Sequence, residues 1–177
     1  EGYLVLIGRD AQTNDMLVKK HMDSNDKYFH ADFDGAPSVV VKDGKEAGEE
    51  TYMEAAKAAV TFSKTWKAGI GADTAFNVNP EQVTQNPESG EYLEKGAFVI
   101  RGEREYMRNV SIEAWIGPYE IDEDKFVPMV GSEKAIKEHC EESLELVPGH
   151  KKKSALAKEI QSRFNQNMDL DYIIRSL

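Results

Sequence analysis

The chain has 177 residues, with 22 Lys and Arg against 32 Asp and Glu, a formal net charge of −10, and 40% apolar residues. This is the composition of a soluble globular domain, not of a disordered or membrane-like chain, and its acidity counts against a basic protein that coats nucleic acid. Cys140 is the one cysteine, which excludes an internal disulfide and a Cys-rich zinc site, and no apolar run reaches the roughly 18 residues of a spanning helix.

In chain order, residues 3–7 are apolar and closed by Gly8, which predicts a strand. They follow neither an initiator Met nor a signal-peptide pattern, as expected of a piece cut from a longer chain. Asp10 can cap a helix running through Met16, Leu17 and Lys20. Residues 23–26 form a turn cluster, and 28–31 and 38–42 read as strands around Asp34-Gly35-Ala36-Pro37, with a second turn at Asp43-Gly44-Lys45. A helix is predicted over 51–68. Thr51 and Glu54 have capping-box spacing, Tyr52, Ala55, Ala56, Ala59, Val60, Ser63 and Trp66 share one face, and Gly69 stops it. Strands follow at 74–78, 97–101 and 110–116, the first two joined by a polar loop over 80–95.

After Gly117-Pro118 the pattern changes. A strand at 126–130 precedes a helix capped by Ser132 and reaching Cys140, then a strand at 144–147. Pro148-Gly149 turns the chain into Lys151-Lys152-Lys153 and a helix carrying Leu156, Ile160 and Phe164. Leu170, Ile173, Ile174 and Leu177 then share a final amphipathic face. The expected fold is α+β: one mostly antiparallel mixed sheet packed with helices over 1–117, and a small C-terminal α/β extension over 118–177.

Three groups of residues can carry chemistry. Gly8-Arg9-Asp10-Ala11-Gln12-Thr13-Asn14 sits at a strand-to-helix junction, where free N–H groups suit phosphate and Gln12 and Asn14 can donate and accept. The plain alternative is that Asp10 and Thr13 only cap a helix. His30 and Asp32 share a strand face and, with Asp10, could hold a metal for hydrolysis or form an acid/base pair; a structural His–carboxylate bond is the alternative. Arg101, Arg104 and Arg108 surround Tyr106, the mix of cation and ring that unpaired RNA uses. Lys19-Lys20-His21 and Lys151-Lys152-Lys153 add two basic patches. No nucleophile elbow, Walker loop or dinucleotide fingerprint is present, so no catalytic residue or cofactor is expected.

Gly8-Arg9-Asp10-Ala11-Gln12-Thr13-Asn14, Val18-Lys19-Lys20, His30-Ala31-Asp32, Gly35-Ala36-Pro37-Ser38-Val39-Val40, Gln82-Val83, Ser89-Gly90-Glu91-Tyr92-Leu93 and Gly96-Ala97-Phe98-Val99-Ile100-Arg101-Gly102 follow one another in an order that resembles the NFACT-R domain, across about residues 3–110. The C-terminal part looks like the end of archaeal members. The resemblance implies an RNA-binding module of a cytoplasmic, ribosome-associated quality-control factor, some members of which were called fibronectin-binding. Such a factor has further domains upstream. It binds tRNA and the ribosomal RNA of the large subunit and promotes C-terminal tailing of stalled nascent chains. Arg9, Gln12 and Asn14 would then recognise RNA. Lys19, Lys20, Arg101 and Arg104 would contact phosphate, and Asp10, His30 and Asp32 would organise the site. Asn77 and Gln85 stand where the family commonly has Trp and Lys, and Asp34 where it often has His. The competing readings are a metal-dependent nuclease or hydrolase on Asp10, His30 and Asp32, and a protein-interaction module that docks through residues 169–177.

Overall fold

Stretches such as Val39-Val40-Val41, apolar at every position, can be buried only between two covered sheet faces. In the computed structural model, which describes residues 1–33, 35–86 and 93–177, they lie inside a five-stranded sheet. The chain divides into two compact units, Glu1–Ile112 and Glu113–Leu177.

The first unit is built on strands β1 (Val5–Ile7), β2 (Lys27–Ala31), β3 (Val39–Val41), β4 (Ala72–Val78) and β7 (Glu105–Ser111), in the order β1-β3-β2-β4-β7. Every pairing in it is antiparallel. A hairpin of β5 (Val83–Thr84) and β6 (Val99–Ile100) stands beside it in sequence, between β4 and β7. Helix α2 (Glu49–Thr61) covers one face. Its inward side is Ala55, Ala56 and Ala59, all fully buried, so the helix approaches Phe29, Val39, Val41, Ala75 and Val110 closely. On the other face Leu17, Tyr28, Val40, Phe76 and Val78 form a second core, joined by Leu6, Val18, Met22, Val83 and Ile100. That cover comes from α1 (Ala11–Met16), the π-helical turn Leu17–His21 and the β5–β6 hairpin.

The second unit has a three-stranded antiparallel sheet in the order β10-β8-β9, from β8 (Ala114–Asp122), β9 (Lys125–Gly131) and β10 (Leu144–Leu146). Its helices are α4 (Glu133–His139), α5 (Lys153–Arg163) and α6 (Leu170–Ser176). Ile116, Ala157, Ile160, Phe164, Met168 and Ile173 make its core.

The α+β expectation holds, while several local boundaries move. The helix expected over 51–68 is two helices, α2 and α3 (Lys64–Ala68), because Ser63 accepts the Thr65 N–H and starts a new one. The Thr51–Glu54 capping box does not form. The helix begins at Glu49, and the Thr51 N–H and hydroxyl donate instead to the Glu1 carboxylate. The strand expected over 110–116 is the end of β7 and the start of β8, so the break between units falls at Ile112–Glu113 rather than after Gly117. Gly117 lies inside β8, where a Cβ would meet the Glu142 carbonyl at 2.6 Å and Cys140; close packing, not a turn, requires glycine there. The polar loop over 80–95 begins with a 3-10 turn, Pro80–Gln82, and β5. The Ser89-Gly90-Glu91-Tyr92 motif and Asp34 lie outside the described residues. The amphipathic C-terminal face is occupied at home: Ile173 is fully buried, and Leu170, Ile174 and Leu177 pack on the second unit's own core.

Candidate nucleic-acid interface

The junction after β1 is first of all a cap. Asp10 Oδ1 accepts the Thr13 N–H at 2.8 Å, and Thr13 Oγ1 accepts the N–H groups of Asp10 and Arg9 at 2.9 and 2.8 Å. The Thr13 backbone N–H, with the Thr13 hydroxyl, holds the Asp10 carboxyl below the usual carboxylate range. Asn14 Oδ1 accepts the N–H of buried Ser38 at 3.1 Å, which ties α1 to the sheet. Asp10 and Asn14 are thus structural here, whereas Arg9 and Gln12 are exposed.

Gly8 permits this arrangement, since a Cβ there would sit 1.9 Å from Asn14 Oδ1. Gly8→Ala is expected to push Asn14 off Ser38 and lower stability by about 1–3 kcal/mol, the cost of an unsatisfied buried N–H. Urea unfolding compared with Asn14→Ala checks this: the two losses should match, and the double variant should lose no more than either.

The basic residues of the next turn are partly committed. Lys19 pairs with Asp15 at 2.7 Å, and Gln85 also donates to Asp15; Lys20 is exposed. Gln85 is therefore a neutral amide that steadies α1 from the hairpin side. Gln82 does similar work. Its Oε1 accepts the Asn79 N–H, and its Nε2 donates to the carbonyls of Arg101 and Glu103, both at 2.8 Å. It thereby fixes the half-buried Arg101 and the backbone leading to Arg104. Nothing but its place two residues after Pro80 pointed to this role.

The feature that sequence reading missed is a row across the sheet. His30 on β2 pairs with Phe76 on β4, and Phe76 with Tyr106 on β7. Directly opposed residues point to the same face, so the three rings stand side by side, with centroids 6.0 and 6.1 Å apart. Phe76 is buried, His30 half-buried, and Tyr106 is 47% exposed. Arg104 lies over the Phe76 ring at 4.7 Å, and Asp32 Oδ1 holds its guanidinium at 3.5 Å. Tyr28, below His30 on the same strand face, shares a hydrogen bond with Ser38; burial pushes its phenol up to about 12, so it stays neutral. Asn77 faces the other way, toward Lys27 at 3.1 Å.

Asp10, His30 and Asp32 do not converge on a metal. The His30 nitrogens lie 2.6 Å from the Ala31 carbonyl and 3.1 Å from the Ala36 carbonyl. Both ring nitrogens thus face backbone carbonyls. Asp10 caps its helix and Asp32 holds Arg104. Among the described residues no group of three or more His, Cys, Asp or Glu could hold an ion, and no helix is long and apolar enough to cross a membrane.

Comparison with known proteins adds a family to this geometry. Residues 1–102 match the family described as the NFACT protein RNA binding domain. The chain is 43% identical over 99% of its length to an archaeal Rqc2 homolog from Methanocaldococcus jannaschii, of which it covers 26%. It is 38% identical over 60% of its length to the ribosome quality control complex subunit NEMF of Homo sapiens, covering 10% of that protein. The chain thus spans about a quarter or less of these relatives. The fold is shared with the solved C-terminal part of the fibronectin/fibrinogen-binding protein from Streptococcus suis, at TM-score 0.52 and 23% identity over 62% of this chain and 41% of that one.

Proposed function

The chain belongs to the NFACT RNA-binding-domain family, and from that premise we propose that it is the non-catalytic RNA-binding module of a ribosome quality-control factor. The names of the archaeal and human relatives support the quality-control setting. The RNA partners are tRNA and the ribosomal RNA of the large subunit, engaged in the cytoplasm together with upstream domains of the same protein. The role is to help hold tRNA while C-terminal tails are added to stalled nascent chains.

The observation that carries this reading is the row His30–Phe76–Tyr106 with Arg104 above it. Tyr106, the exposed ring of the row, can stack on an unpaired base, and the Arg104 guanidinium over Phe76 offers a second flat surface and a charge for phosphate. Asp32 positions Arg104 and can yield it to a phosphate. Arg9, Gln12, Lys20 and Arg101 complete the contacts from the cap and the hairpin, with Lys19 joining when it leaves Asp15.

The test is equilibrium binding of tRNA across a salt series. Affinity should fall as salt rises, because phosphate contacts release counterions. Tyr106→Ala should weaken binding about tenfold, the low end of one lost stacking contact of roughly 1–3 kcal/mol, while its exposure leaves stability nearly unchanged. Affinity independent of salt would remove the reading, and affinity unaltered by Tyr106→Ala would remove the stacking row from it. The metal-hydrolase alternative finds no support, since each of its three residues is engaged elsewhere.

A further inference from the structure

The family match ends at residue 102 and leaves the second unit without an assigned role. Its charges are segregated. Between 113 and 145 carboxylates dominate, with four of them (Glu120, Asp122, Glu123 and Asp124) clustered at the β8–β9 turn. Between 147 and 167 there are five cations, Lys151, Lys152, Lys153, Lys158 and Arg163, and one carboxylate, Glu159. Glu159 is already engaged on both sides. Lys151 donates to one of its oxygens and Arg163 lies 3.4 Å from the other. Lys152, Lys153 and Lys158 are exposed and make no ion pair among the described residues. Within a chain of net charge −10, residues 147–167 therefore carry five cations against one carboxylate, with Glu142 held at their far end by Asn165.

From this segregation we infer that α5 and the lysine run before it form a second RNA contact, one that grips the phosphate backbone. The inference rests on the RNA-binding reading above for the identity of the polyanion. Two features of the surface favour a nucleic-acid backbone. Between its cations it exposes Ser154, Ala155 and Ser162, small side chains that let a backbone come close, and the Ser154 hydroxyl can donate to a phosphate oxygen. Its apolar residues, Leu156, Ala157, Ile160 and Phe164, face the unit's own core. A helix that lies on a membrane keeps its apolar face free for lipid, and a protein partner needs an apolar or aromatic centre to the interface. On α5 itself the apolar residues turn inward. Lysine contacts to phosphate carry no sequence information, so the patch positions RNA without reading it.

The decisive experiment compares the whole chain with the triple variant Lys152→Glu, Lys153→Glu, Lys158→Glu. Binding to bulk tRNA and to a single-stranded uridine homopolymer is measured over a salt series. Three lost phosphate contacts should flatten the slope of log affinity against log salt by about 2, at roughly 0.7 per contact on a single strand. Affinity at low salt should fall more than tenfold on both RNAs alike, with thermal unfolding unchanged. A slope and affinity equal to wild type would overturn the inference. So would equal binding of wild type to poly-glutamate or to phosphatidylserine vesicles, because the patch would then be a general anion surface. Tyr106→Ala runs beside it and separates the two readings. If Tyr106→Ala weakens binding and the triple variant does not, the first-unit site stands and the second falls. If the reverse holds, the second contact stands and the stacking row falls.

Discussion

Asp26→Ala is expected to destabilise the first unit by about 3–5 kcal/mol at pH 7, the cost of removing one partner from a buried ion pair. Asp26 is 1% exposed and accepts from three donors at once. Its Oδ2 takes the Asp23 N–H at 2.7 Å and the Lys42 ammonium at 2.6 Å, and its Oδ1 takes the Asp43 N–H at 2.9 Å. Lys42 also donates to Asp23 and to the His21 carbonyl, both at 2.7 Å. One carboxylate thereby pins two turns and, through Lys42, the end of the Leu17–His21 turn that carries Lys19 and Lys20.

The pH dependence has a definite sign. Burial alone would raise the Asp26 pKa, but the hydrogen bonds from Asp23, Lys42 and Asp43 outweigh it and hold it below its ordinary value. A group depressed in the folded state contributes stability above its unfolded pKa, near 3.9, and loses it as pH falls through the folded value. The gap between wild type and Asp26→Ala should therefore be full at pH 7 and shrink below about pH 4. Urea unfolding read from Trp66 in a Trp115→Phe background reports on the first unit alone. A gap that widened toward acid would show that the carboxylate is not held in its charged form.

Gly96→Ala should cost about 2–4 kcal/mol, combining left-handed backbone strain with overpacking. Gly96 has φ of +80°, and a Cβ there would meet the Ala11 Cα at 2.5 Å, its carbonyl at 2.6 Å and its Cβ at 2.7 Å. Two of these atoms are backbone, so nothing flexible can give way. The hairpin and the first turn of α1 are thus seated on each other through one missing methyl group. Gly69→Ala is the control: its φ is +67°, with nothing within 4 Å of the added carbon. It should show the backbone strain alone, about 1–2 kcal/mol. Equal losses in the two variants would mean that the Ala11 contact is of no consequence.

What the sequence disclosed follows the range of the forces involved. Caps act over three residues, and Asp10 and Ser132 each cap the helix that follows them. Strand alternation put His30 and Asp32 on one face; β2 ends at Ala31, and Asp32 beyond it reaches the Arg104 that covers Phe76, the partner of His30. Where a partner lay far along the chain, local rules failed. Glu1, fifty residues away, displaced the start of α2 from the Thr51 capping box. Asp15 and Gln85 turned Lys19 from a free cation into half of a pair. The stacking row needed the register of β2, β4 and β7 together, which neither periodicity nor composition encodes. Tyr106 was visible as an aromatic among arginines, but Phe76 looked like an ordinary core residue, and it is the one that joins the others.

That row has a consequence for how the protein would fail. Its three rings come from three strands distant in sequence, so the surface exists only while the whole sheet is intact, and it disappears in one cooperative step. The lysines of α5 are neighbours along the chain and keep their charge density even when the helix melts. Under heat stress, discrimination would be the first property lost, leaving an indiscriminate attraction to polyanions that salt alone could release.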